Sequence, residues 1–164
     1  MSLEKDFNKI YNTYAPKVHR LCLGYAAGDD EQAKEWLQET FIKVWNHRRS
    51  FKGKSSIGTW IYRIAVNICL SDLRKPKKYH QINENALSID IDDSDENRRD
   101  SNIMRMYQCI DQLTEQNKTL ILLELEEVPQ ATIAETTGLA HGAVRTRLSR
   151  IRKALLKCIT NGKR

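Results

Sequence analysis

Arginines at helical spacing beside small hydroxyls, near the C-terminal end of the chain, can read base edges in DNA. The stretch is Gln130 to Arg152, QATIAETTGLAHGAVRTRLSRIR. On a helix, Arg145, Thr146, Ser149 and Arg150 project to one side, and arginine can bridge two acceptors on a guanine edge. From Thr136 to Arg164 there is no Asp or Glu, while Arg145, Arg147, Arg150, Arg152, Lys153, Lys157, Lys163 and Arg164 are basic. Ala134, Gly138 and Val144 are what a helix-turn-helix needs. The small residue permits a close crossing, the glycine a left-handed helix end, and the valine packs the second helix on the first. The competing interpretation is a plain helical hairpin with a solvated basic face.

A second cluster suits unpaired nucleic acid. In FKGKSSIGTWIYRIAVNICLSDLR, Phe51 to Arg74, the aromatics Phe51, Trp60 and Tyr62 interleave with Lys52, Lys54 and Arg63. Cations attract phosphates, and aromatic faces stack on exposed bases. Asn67, on the same helix, can pair with a base edge. Trp60, Ile61, Ile64, Ala65 and Ile68 are expected in a core, which leaves Phe51, the loop, Tyr62, Arg63 and Asn67 available for more.

A third feature is surplus apolar surface. Leu37, Phe41 and Val44 with Thr40 make an ordinary core stripe, and a surface helix needs only one. Gln38, Ile42, Trp45 and Arg49 form a second, offset stripe flanked by Glu39 and Asn46. This reads either as a protein-docking face or as a helix buried on two sides.

Catalytic chemistry has no such footing. His19, His47, His80 and His141 are scattered, and the clustered acids lie in a polar stretch. No catalytic residue, metal site, cofactor or small-molecule substrate is expected. Cys22, Cys69, Cys109 and Cys158 lack metal-ligand spacing and sit in apolar helical patterns, so four buried free thiols are expected.

The elements that must position these residues are all helical. Phe7, Ile10, Tyr11, Tyr14, Val18, Leu21 and Tyr25 recur at three- and four-residue steps, with Pro16 expected to divide the helix into two pieces. Asp30 can cap a second helix from about Glu31 to His47, and a third runs from about Gly58 to Arg74, stopping before Pro76. The stretch Lys77 to Ser101 is polar and acidic and reads as a flexible linker. A helix then starts near Ile103, and Thr114 can cap another that ends before Pro129. The layout is all-α: two small bundles, 1–76 and 102–164, joined by the linker 77–101.

Charge follows this layout. The 164-residue chain carries a net +6, which favours a polyanionic partner. Basic residues crowd Lys43 to Lys78 against the lone acid Asp72, whereas Gln81 to Asn97 holds acids and no base. The acidic linker is expected to fold back on the basic bundles of the free protein. No apolar run approaches the roughly 20 residues that span a bilayer. The N-terminus has no signal-peptide core, so a cytoplasmic protein without membrane insertion is expected.

Four blocks now stand in order: LQETFIKVW (Leu37 to Trp45), FKGKSS (Phe51 to Ser56), TWIYRIAVN (Thr59 to Asn67) and GAVRTRLSRIRKAL (Gly142 to Leu155). Together they resemble the bacterial sigma factors of the extracytoplasmic-function group, over nearly the whole chain outside the linker. The resemblance implies two domains, sigma2 and sigma4, and a non-enzymatic subunit that binds core RNA polymerase and directs it to promoter DNA. Gln38, Glu39, Ile42, Trp45 and Asn46 match the stretch that docks on polymerase. Phe51, Lys52, Lys54, Ser55, Tyr62, Arg63, Asn67 and Ser71 match the segment that opens the minus-ten element and captures a flipped base of the non-template strand. Gly142, Arg145, Thr146, Arg147, Ser149 and Arg150 match the reader of the duplex minus-thirty-five element. Ala143 stands where the family usually has threonine. An anti-sigma factor is the further partner that the group implies. From the residues alone, a regulator that binds duplex DNA through the C-terminal module stays open.

Overall fold

In a computed structural model, residues 3–76 and 95–161 are described, and these residues form seven α-helices with no strand among them. The first three make an N-terminal bundle and the last four a C-terminal one. The acidic residues Asp90, Asp92 and Asp93, which carried the fold-back expectation, lie outside the described residues.

Helix α1, Leu3–Tyr25, runs unbroken through Pro16, against the expectation of two pieces. Proline removes one backbone donor and leaves the Asn12 carbonyl unbonded. Pro16 and Asn12 are both exposed, so water can satisfy that carbonyl. Ala15 and Val18 on the opposite side are buried and hold the helix down. Helix α2, Asp30–Asn46, is capped by Asp29 rather than Asp30, the Asp29 carboxylate accepting from the Gln32 amide at 3.3 Å. Asp30 lies inside the first turn, where Lys34 and then His19 hold its carboxyl below the usual range. Helix α3, Ile57–Leu73, starts at Ser56, whose Oγ accepts from the Thr59 amide at 3.2 Å.

These three helices enclose Val18, Leu21, Cys22, Ala33, Thr40, Val44, Ile61, Ala65 and Cys69, each fully buried. The Trp36 indole donates to Asp72 at 2.9 Å and ties α2 to the end of α3. The Thr40 hydroxyl returns to the Trp36 carbonyl at 2.8 Å, which lets a polar residue lie in the core.

Helix α4, Asp95–Asp111, begins upstream of the expected start at Ile103, so helix reaches back into the acid-rich stretch. Helix α5, Glu115–Leu125, is capped by Thr114 as expected, accepting from the Asn117 amide at 3.3 Å. Helix α6, Gln130–Thr137, ends at Gly138, whose φ of 76° is the left-handed conformation that glycine adopts without strain. Helix α7, His141–Asn161, lays Val144, Leu148, Ile151 and Leu155 inward. Burying each such side chain contributes roughly 1.5–3 kcal/mol. One expectation fails here. Cys109 on α4 and Cys158 on α7 are joined by a disulfide, and only Cys22 and Cys69 are free. Sequence spacing could not show that the first and last helices of the module lie side by side.

The two bundles also pack on each other. Helix α5 buries consecutive residues from Lys118 to Leu123, so it has no solvent face over that length. Leu120 and Leu123 are fully buried, while Leu122 and Thr119 meet α1. Leu122 lies against Gly24, where there is no room for a Cβ, and Tyr25 hydrogen-bonds Thr119. Arg20 grips Glu126 through Nε at 2.9 Å and Nη2 at 2.8 Å, and the Glu126 side chain is only 7% exposed. Arg74 pairs with Glu115 at 2.6 Å at the far end of α3.

Candidate nucleic-acid interface

The loop between α2 and α3 presents two lysines to solvent. Lys52, Gly53 and Lys54 are exposed. Gly53 has φ +71°, so the turn takes a conformation that L side chains rarely adopt. Phe51 is half-buried, its ring 5.1 Å from that of Trp60, and Ser55 is half-buried behind it. Beside the loop, Leu3, Ile10, Tyr14, Phe51 and Ile57 line a groove of about 230 Å³ with Asp6, Lys9 and Thr13 at its edge.

On α3 the structure separates residues that the sequence grouped. Arg63, Asn67 and Ser71 are exposed and fall one helical turn apart on one face. Tyr62, expected to be available, is 4% exposed and packs edge-on against Tyr14 at 6.1 Å. Burial pushes its phenol up to about 12, so it stays neutral in ordinary buffers. Aromatic interleaving does not say which ring faces out. The neighbouring Val66 and Ile61 share the inward side with Tyr62. Arg63 is engaged as well: its guanidinium donates to the Glu135 carbonyl on α6 of the other bundle.

The outer stripe of α2 is in water. Gln38, Glu39, Ile42, Trp45 and Asn46 are exposed, Ile42 by 51% and Trp45 by 37%, so the helix is not buried on two sides. Arg48 stacks over the Trp45 ring at 4.0 Å and is itself held by Glu4 at 3.0 Å, and Phe7 meets the same tryptophan edge-on at 5.1 Å. These contacts fix the indole without covering it. Phe7, Tyr11, Leu37, Gln38, Phe41, Ile42 and Trp45 line an open apolar groove of about 530 Å³. Sequence reasoning named α2 but missed that Phe7 and Tyr11 of α1 form the other wall. Their place at the outer margin of the α1 stripe was the available signal.

On α7, Arg145, Thr146, Ser149 and Arg150 form one exposed face, with Gly142 at its start. Thr146 donates its hydroxyl to the Gly142 carbonyl at 3.0 Å. Arg147 is set apart: it is half-buried and donates to the Gln116 side chain on α5. Arg152 is likewise paired with Glu124. Arg145 and Arg150, on the face that the sequence assigned to base reading, are exposed, as are Lys153 and Lys157 further along the helix.

Among the described residues no cluster of three His, Cys, Asp or Glu could hold a metal ion, and no helix is long and apolar enough to cross a membrane. Comparison with known proteins decides the family. Residues 10–79 match the family model of Sigma-70 region 2, and residues 103–155 that of Sigma-70 region 4. The ECF RNA polymerase sigma-E factor of Haemophilus influenzae is 33% identical over 93% of this chain and 86% of its own. The chain belongs to the sigma-70 family, in the extracytoplasmic-function group.

Other relatives agree. This sigma factor is 34% identical to RNA polymerase sigma factor YlaC of Bacillus subtilis, over 96% of this chain and 89% of that one. Its fold matches CnrH in complex with the cytosolic domain of CnrY, with a TM-score of 0.73 at 15% identity over 96% and 90% of the two chains. It also matches RpoE in complex with the anti-sigma factor NepR from Bartonella quintana, at 0.69 and 19% identity over 95% and 98%. The N-terminal bundle is thus sigma2 and the C-terminal one sigma4. Sigma factors act in transcription initiation as non-enzymatic subunits.

Proposed function

We propose that this sigma factor seats on core RNA polymerase through the α1/α2 groove and grips promoter DNA at two places. Arg145, Thr146, Ser149 and Arg150 read the duplex minus-thirty-five element. Phe51, Lys52, Lys54, Ser55, Arg63, Asn67 and Ser71 open the minus-ten element and hold its non-template strand, a role that Tyr62 can take only from behind. The whole acts in the cytoplasm. The observation that carries this reading is the apolar stripe of Ile42 and Trp45, left in water although α2 already has a buried face. A repressor acting through sigma4 alone would give that stripe no work.

Each module alone makes few phosphate contacts and binds weakly, and docking both on one polymerase raises their effective concentration. The closed packing sets a further condition. The two promoter elements lie roughly 85 Å apart at about 3.4 Å per base pair. Helix α3 touches α6, and α6 is followed at once by the reading helix, so the closed chain cannot reach both. Opening must break the contacts of Arg20, Tyr25, Arg63 and Arg74 with sigma4. An anti-sigma factor that covers the α1/α2 groove or holds the modules closed would keep the protein inactive.

The test is run-off transcription with purified core polymerase on sheared genomic DNA, with and without this protein. New start sites that vanish with Trp45→Ala support the reading. Unchanged start sites, or no association with core polymerase, would refute it.

A further inference from the structure

We infer that Cys109 and Cys158 are a reversible, peroxide-sensitive pair whose disulfide staples the first helix of sigma4 to the end of its DNA-reading helix. The Cα atoms are 6.0 Å apart, inside the span that a disulfide bridges without moving backbone. Cys158 lies near the end of α7, on the stripe that continues Val144, Leu148, Ile151 and Leu155, and is half-buried. Cys109 is 5% exposed, next to the fully buried Ile110. An oxidant therefore meets Cys158 first, and Cys109 is in place to resolve the product.

The second thiol pair provides the contrast. Cys22 and Cys69 are 3.7 Å apart in the sigma2 core and free, with neither side chain reachable by solvent. The chain thus holds two close cysteine pairs, one enclosed and one at the periphery of a module. Disulfides inside cells are rare, and those that form are usually transient and redox-sensing.

The chemistry balances with a hydroperoxide as oxidant. The Cys158 thiolate attacks a peroxide oxygen and becomes a sulfenic acid as water or an alcohol leaves. The Cys109 thiol then attacks that sulfur, the S–O bond breaks, and the oxygen departs as a second water. Two thiols lose two electrons and the peroxide gains them. A dithiol reductant reverses the step by exchange.

The staple acts on the last turns of α7. Without it, those turns are held by packing, with Leu155 buried in the core, Ile159 against it, and α4 and α7 in contact. With it, α4 and α7 move as one body. Helix α4 also lays Met104 and Tyr107 beside Gly28 in the turn between α1 and α2, so the same body reaches the sigma2 interface. The inference rests on the proposed transcription role only for its intracellular setting, and its test needs neither polymerase nor promoter.

The full chain is reduced, treated with one equivalent of hydrogen peroxide, denatured and alkylated, then mapped by non-reducing peptide mass spectrometry. Expected is a 109–158 link, with Cys22 and Cys69 alkylated. The oxidised protein should melt several degrees above the reduced one, and its amides over Leu155–Asn161 should exchange at least roughly tenfold more slowly. Cys158→Ser should abolish the peroxide response in both measurements. Should that variant fold poorly, oxidised and reduced wild type supply the same comparison. Four alkylated cysteines, a 22–69 or intermolecular link, or identical melting and exchange in the two redox forms would overturn the inference.

Discussion

At the residue scale, the reading surfaces make separable demands. Arg145→Ala and Arg150→Ala should each cost about 1–3 kcal/mol of discrimination at one upstream base pair, measured by binding of the polymerase holoenzyme to a promoter library. Arg147→Ala should not, because that side chain is spent on Gln116. Asn67→Ala and Lys54→Ala should leave upstream binding intact and slow opening, read by a fluorescent base placed in the minus-ten strand. Identical defects from the two groups would end this division. Ile42→Ala should shift stability by no more than about 0.5 kcal/mol, because its side chain is in water, yet weaken polymerase binding by more than about 1 kcal/mol. The exposure of these faces was legible in the sequence, since one-sided charge and a surplus stripe are patterns of period and sign. Tyr62 was not, because a ring that stacks on a base and a ring that fills a core leave the same mark in the sequence.

The helices were legible wherever a cap or a period decided them. Thr114, Gly138 and the stop before Pro76 stand where the chain says they should. Pro16 misled because local chemistry was overruled by packing on both neighbours of α1. That override carries a prediction. Pro16→Ala restores the missing backbone bond in an exposed position and should raise stability by about 1–3 kcal/mol in denaturant unfolding. A loss of stability would mean that Pro16 contributes more to the native helix than its missing donor costs. Helix α5 was legible only in part. Its run of Leu120, Ile121, Leu122 and Leu123 is apolar all round, the mark of a helix with neighbours on every side. One bundle accounts for only part of that surface, so the excess on α5 was the available signal that a second body covers it.

At the scale of the whole molecule, the closed packing was hidden because much of it is polar. Arg20, Thr119 and Glu126 read as surface residues until the two bundles meet, and the hydroxyl of Tyr25 shows no partner in the sequence. Gly24→Ala should part them without harming α1, since alanine favours helix and its methyl group would strike Leu122. A larger radius of gyration by small-angle scattering and faster proteolysis of the linker are the expected outcomes, and an unchanged radius would contradict the packing. Acid should act the same way. Arg74 holds the Glu115 carboxyl below its ordinary value of 4.5. The link is therefore fully present above that value and is lost as pH falls through the lowered one, and because both side chains are exposed its loss should loosen the closed packing only slightly, as a small change in scattering confined to that acid range. Both faces of this contact belong to one polypeptide, which has a consequence for abundance. Dilution cannot separate them, and making more protein leaves the fraction ajar unchanged. On the proposed function, any partner that needs the open form finds its apparent affinity reduced by that same fraction, so the latch would scale output at every promoter together and leave their ranking alone.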